Sequence, residues 1–133
     1  MTAIEKYEYW LEIAQYGLDT ADVIFAGGRW LYVVFMCQQA IEKLCKGLYT
    51  VYLDDTPPKT HNIIWLVGKF EDKLPAAISE EANALFAVLS KYYIGNRYPD
   101  FISKLSESVD KTEAERVLEK SKEAFAWLQT LKP

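Results

Sequence analysis

Residues 30–53 read WLYVVFMCQQAIEKLCKGLYTVYL, and their pattern decides the fold class. The first eight positions, Trp30 to Cys37, are apolar almost all round. An α-helix tolerates that only where neighbours cover most of its sides, so this segment predicts the central helix of a bundle. The later turns become amphipathic. Ala40, Ile41, Leu44, Leu48 and Val51 continue the apolar face, and Glu42, Lys43 and Lys46 are predicted to point outward. Glu42 precedes Lys46 by four residues, the favourable order for an ion pair along a helix. Gln38, beside the apolar run, is expected to be buried and therefore to need hydrogen-bond partners.

The helical period extends on both sides. Ile4, Tyr7, Leu11, Ala14, Leu18, Ala21 and Phe25 recur at three- and four-residue steps, which places them on one stripe of a first helix. Gly27-Gly28 ends it. Tyr9 and Trp10 fall off the stripe and, if exposed, mark a dimer or partner surface. Beyond residue 53, Asp54-Asp-Thr-Pro-Pro-Lys59 is a turn, because the two prolines fix φ and remove donors. Thr60 is the predicted N-cap of a third helix from His61 to about Lys73. Ser79 caps a fourth that carries Ala82, Leu85, Phe86, Leu89 and Tyr93 and stops before Gly95. Residues 95–110 lack a clean period and read as an irregular crossing. Thr112 and Glu115 form a capping box for a last helix with Ala114, Val117, Ser121, Ala124, Leu128 and Leu131 inward. No strand, repeat or low-complexity tract is evident. The expectation is an all-α fold over residues 1–133, one domain built as an antiparallel four-helix bundle with a short fifth helix.

Composition narrows the function classes. Half of the 133 residues are hydrophobic and 14% are aromatic, enough for a packed core and too apolar for a disordered chain. The formal net charge is -4 and the pI about 5.0, which argues against broad electrostatic capture of nucleic acid or anionic lipid. A local cationic groove is compatible with that balance. Cys37 and Cys45 lie on one helix about 12 Å apart, too far for a disulfide. Without histidines beside them they form no zinc site, so reduced, buried thiols and a cytoplasmic setting are expected. No signal peptide begins the chain, and Trp30 to Cys37 is far shorter than the ~20 residues of a membrane span. Asp54 and Asp55 suit a turn better than a metal site; no metal or cofactor is expected.

The run Cys37-Gln-Gln-Ala-Ile-Glu-Lys-Leu-Cys-Lys-Gly-Leu48, followed by Thr60-His61-Asn62 and then by Asn96-Arg97-Tyr98-Pro99-Asp100, resembles the ordered motifs of the HEPN domain family, in an R-Y-P-D variant. The resemblance covers roughly Ile4 to Leu131. It implies a bundle of about five helices, a homodimer, and pairing with a minimal nucleotidyltransferase in toxin–antitoxin-like modules. Active members cleave RNA without metal through an arginine followed after four to six residues by a histidine. Here Arg97 matches the arginine, but positions 102, 103 and 104 hold Ile102, Ser103 and Lys104. Histidine is the side chain best matched to moving a hydroxyl proton near neutral pH, so its absence there weighs against the nuclease activity.

The candidate ligand-binding residues are accordingly Gln39, Lys43, Lys46, Arg97, Tyr98, Asp100 and Lys104, with Arg97 the one candidate for catalysis. Arginine holds phosphate bidentately; the alternative for Arg97 is an ion pair with Asp100 or another carboxylate. Gln39, Lys43 and Lys46 share one helix face, which reads either as a polar groove meeting phosphates or as a solvated surface. His61, the only histidine, lacks an acid nearby in sequence and reads as a residue hydrogen-bonded at a helix start. Three functions follow: a nucleotide-, RNA- or partner-binding component of a HEPN–nucleotidyltransferase module; a metal-independent endoribonuclease toxin using Arg97, with Tyr98, Asp100 or Lys104 moving the proton; or a ligand-free helical interaction protein.

Overall fold

A computed structural model describes residues 1–95 and 97–133, and every regular element among them is helical. Six α-helices follow in order: α1 (Ala3–Ala26), α2 (Trp30–Leu53), α3 (Ile63–Gly68), α4 (Glu80–Ser90), α5 (Pro99–Glu107) and α6 (Lys111–Gln129), with a single 3₁₀ turn at Glu71–Lys73. Thr2 caps α1 by accepting from the Glu5 amide. The turn into α2 needs Gly28, whose φ of 72° favours glycine.

Helix α2 is the axis of the molecule, packed along α1 and meeting α3, α4, α5 and α6 as well. Helices α1 and α2 run antiparallel: Phe25 meets Trp30 at the turn, Gly17 faces Ala40, and Gly47 lies against Tyr7 and Trp10 at the far end. Ion pairs Lys122–Asp22 (2.7 Å) and Lys132–Glu8 (2.6 Å) align α6 antiparallel to α1. The Tyr52 hydroxyl donates to the Leu131 carbonyl and ties the two C-terminal ends together. Val33, Val34, Ile41, Leu44 and Leu48 of α2 pack with Tyr7, Leu66, Phe86, Phe125 and Leu128 in one core.

Several local expectations are corrected. Ile4, expected on the buried stripe of α1, is exposed in its first turn. The third helix runs only from Ile63 to Gly68 instead of His61 to about Lys73, and Asn62 rather than Thr60 caps it, accepting from the Trp65 amide; Thr60 instead accepts from the Asn62 amide. Asp110, not Thr112, caps α6 by accepting from the Glu113 amide. Residues expected to be irregular contain α5, which starts with Pro99, whose fixed φ suits a first helical turn. None of its residues is fully buried; Phe101, Ile102 and Leu105 do share one helix face, but over nine residues beginning at a proline that spacing reads as a turn. Asn96, part of the expected turn, lies outside the described residues.

Candidate functional site

Gln38, Glu42 and Lys46 follow each other at four-residue steps on α2, and all three are buried. This overturns the outward placement of Glu42 and Lys46. A central helix has neighbours on sides that a surface helix gives to water, so polarity there does not imply exposure. A charge so placed is tolerable only when paired and hydrogen-bonded. Glu42, 2% exposed, meets that condition. Its Oε2 lies 3.1 Å from the Lys46 ammonium. Its Oε1 accepts from the Gln38 side-chain amide at 3.0 Å and lies 3.0 Å from His61 Nδ1.

The network continues outward. The Gln38 amide also donates to the His61 backbone carbonyl at 3.3 Å. Gln39 donates to Gln38 Oε1 at 2.6 Å, and the Lys43 ammonium donates to Gln39 Oε1 at 2.9 Å. Gln39 and Lys43, only half-buried, form the rim of this network. Burial holds the Lys43 ammonium below its usual pKa, with Glu42 opposing that shift and Lys46 adding to it. Lys46, by contrast, is 8% exposed and committed to Glu42.

His61 therefore has an acid beside it after all, supplied from α2 and distant in sequence. The carboxylate can only accept, so the bond to Nδ1 requires the hydrogen there and leaves Nε2 as the acceptor of the neutral ring. The His61 side chain is 41% exposed. Among the described residues Nε2 has no hydrogen-bond partner. One face of the ring stacks on Tyr93, with centroids 3.7 Å apart and planes 14° from parallel. Tyr93 in turn lies against the turn that carries Arg97: a Cβ at Gly95 would come within 2.7 Å of the Tyr93 hydroxyl.

Arg97 is exposed. Its Nε donates to the Tyr93 carbonyl over a long 3.4 Å, and its guanidinium sits 5.0 Å from the centroid of the Phe101 ring. Among the described residues no carboxylate lies within ion-pair distance of it, so the alternative of an ion pair with Asp100 or another carboxylate does not form. Tyr98 precedes α5 and is 80% exposed. Asp100 lies in the first turn of α5 and Lys104 in its last, both exposed. Of the candidate residues, Lys46 is taken up in the buried pair with Glu42; the other six fall in two groups, the network rim at Gln39 and Lys43, and the α5 turn at Arg97, Tyr98, Asp100 and Lys104. His61 and Tyr93 lie between these groups. Sequence reasoning missed Glu42, His61 and Tyr93 as a unit; the four-residue spacing of Gln38, Glu42 and Lys46 was its one available signal.

The all-helical bundle defines the fold class. The model of the HEPN domain matches residues 7–131, and the chain belongs to that family. Two solved structures are similar over nearly the whole chain. TT1696 from Thermus thermophilus is 26% identical with a TM-score of 0.78, covering 94% of this chain and 97% of its own. ST0689, described as an archaeal HEPN homologue, is 21% identical with a TM-score of 0.72, covering 96% and 98%; at that identity the likeness concerns the fold. No curated protein matches the sequence. No described helix is long and apolar enough to cross a membrane.

Proposed function

We propose that the chain, acting as one HEPN domain in the cytoplasm, is the ligand- and partner-binding component of a HEPN–nucleotidyltransferase module of toxin–antitoxin type. It holds a nucleotide or RNA strand on the face built around Arg97. The observation that carries this reading is the exposed Arg97 guanidinium without a carboxylate partner among the described residues, flanked by exposed Tyr98, Phe101 and Lys104. Cations interleaved with exposed aromatic rings suit single strands, whose phosphates and unstacked bases need both. A net charge of -4 limits this to local capture by the few cations of that face, so modest affinity and a shallow salt dependence follow.

The test is fluorescence anisotropy with a labelled single-stranded RNA across a salt series, for the wild type and Arg97→Ala. Loss of one phosphate contact reduces the salt slope by about 0.7 for a single strand. A wild type that binds neither RNA nor nucleotides, and whose melting temperature nucleotides leave unmoved, leaves only the ligand-free interaction protein.

The same reading includes a homodimer. Tyr9, Ile13, Tyr16 and Val23 form a second, exposed stripe on α1, opposite the buried one, and such a face is typical of one that meets a partner. Light scattering on Tyr16→Glu is expected to show a smaller particle with unchanged helicity.

A further inference from the structure

We infer that the groove between the α1–α2 turn and α5 is a binding site for a small aromatic carboxylate, whose ring lies against Trp30 and Tyr32 and whose charge Arg29 balances. The site is separate from the nucleic-acid face proposed above and does not rest on that reading. On α5, Ile102, Ser103 and Ser106 line the groove. With about 3.6 residues per turn, Phe101 and Lys104 project from the opposite side of that helix.

Three features of the groove carry the assignment. The first is its shape. It holds about 540 Å³, within the range of sites that take small molecules. Leu31 and Val109 line it and are both buried, so its deepest part is apolar and fixed. Trp30 is half-buried and braced by Phe25, with ring centroids 5.3 Å apart, and Tyr32 is exposed. Local sequence keeps the groove open. Gly28 carries no side chain where a Cβ would stand 3.7 Å from the Trp30 ring, and serines occupy positions 103 and 106, where long apolar side chains would fill the gap.

The second feature is charge. Arg29 is the one charged residue among those lining the groove. It is exposed, and among the described residues its guanidinium has no ion-pair or hydrogen-bond partner. Other grooves of the molecule are acidic: the one between α4 and α6 carries Glu81 and Glu123, and two along α1 carry Glu12. In a chain of net charge -4, an acid-free groove with an unpaired guanidinium selects an anion.

The third feature is a pair of free hydroxyls. A serine within a helix commonly turns back to a carbonyl of the preceding turn, as Ser90 does to Phe86 and Ser108 to Leu105. Ser103 and Ser106 make no side-chain hydrogen bond among the described residues, so both can donate to a ligand oxygen. One guanidinium fork and two neutral donors match a single carboxylate. They leave the further charges of a polyphosphate unbalanced. The apolar lining requires an apolar body on the same molecule, and the Trp30 and Tyr32 rings favour an aromatic one, through offset or edge-on packing.

The experiment titrates nitrogen-labelled protein with naphthalene carboxylate and with its neutral carboxamide, following backbone amides by NMR, for wild type, Arg29→Gln and Ser106→Leu. Expected for the wild type are shifts confined to residues 28–32 and 102–109, with a carboxylate dissociation constant on the order of 1 mM or tighter. The carboxamide is expected to bind about threefold or more weakly, the scale of an exposed ionic contact. In Arg29→Gln the two probes are expected to bind alike. Ser106→Leu, whose larger side chain occupies the groove, is expected to bind neither, with an unchanged circular dichroism spectrum. Shifts centred on the Tyr9 and Tyr16 stripe, or no shifts up to the solubility of the probe, overturn the site. Equal binding of the two probes by the wild type, a preference that survives Arg29→Gln, or unchanged binding by folded Ser106→Leu overturns it as well. Adenosine monophosphate shifting the same amides at lower concentration than the carboxylate overturns the ligand class.

Discussion

Glu42→Leu is the perturbation that probes the centre of the molecule most directly. Leucine is similar in size and suits a helix, so backbone propensity and packing volume change little. Three polar groups lose their acceptor: the Lys46 ammonium at 3.1 Å, His61 Nδ1 at 3.0 Å and the Gln38 amide at 3.0 Å. Gln38 keeps the His61 carbonyl at 3.3 Å, and the half-exposed His61 can turn to water. Lys46 can do neither easily, since its side chain is only 9% exposed. Removing one partner of such a pair costs about 3–5 kcal/mol. An unfolding entropy of roughly 2.1 cal/mol/K per residue over 133 residues amounts to about 0.28 kcal/mol/K, so the melting temperature is expected to fall by roughly 11–18 °C. Glu42→Leu/Lys46→Met removes both charges and is expected to return to within about 1.5 kcal/mol of the wild type, because apolar replacement of a buried pair is often neutral. Urea denaturation followed by circular dichroism and by tryptophan fluorescence measures both variants; the Lys46 ammonium sits 6.0 Å from the centroid of the Trp10 ring. A single-variant cost below about 1 kcal/mol, or a double variant no better than the single, would refute the buried charge network.

Two further outcomes follow from the packing and the buried thiols. Gly47→Ala places a Cβ 3.0 Å from Trp10 Cβ and 3.1 Å from Tyr7 Cδ2; because Trp10 Cβ is fixed by its backbone, an overpacking cost of about 1–3 kcal/mol is expected to exceed the propensity gain of about 1 kcal/mol. Gly68→Ala, with nothing within 4 Å, is the control and is expected to be neutral or slightly stabilising by the same denaturation curves. Burial pushes the Cys37 thiol from 9.0 up to about 12 and also raises Cys45. A raised folded pKa means that the unfolded chain loses the proton first, so stability is full below pH 9 and falls as pH rises from about 9 toward 12, by about 1.4 kcal/mol per unit for each thiol. Urea curves at stepped alkaline pH check this; Cys37→Val is expected to flatten the slope, and an unchanged slope would show that other groups set it.

Much of this protein was legible one residue at a time. The apolar period marked α1, α2, α4 and α6, since helix faces repeat every 3.6 residues wherever one side meets a core. Gly27-Gly28, the prolines at 57 and 58, and Ser79 marked breaks and caps by local backbone chemistry. Family motifs could be recognised because they lie contiguously in the chain. Short or weakly buried pieces were less legible: α3 spans only Ile63–Gly68, and α5 has no fully buried residue.

The site depended on the third dimension. In sequence, Glu42 and Lys46 are indistinguishable from a solvated ion pair, and His61 has no acid near it. Only the packing of the segment before α3 against α2 closes 19 positions of chain into a 3.0 Å contact, and only the return of the chain after α4 lays Tyr93 on the histidine. A helical period reports which residues share a face. Which of those faces the rest of the chain then covers is decided by the packing of elements far apart in sequence, and that decision turned a charged stripe into a buried network beside Arg97.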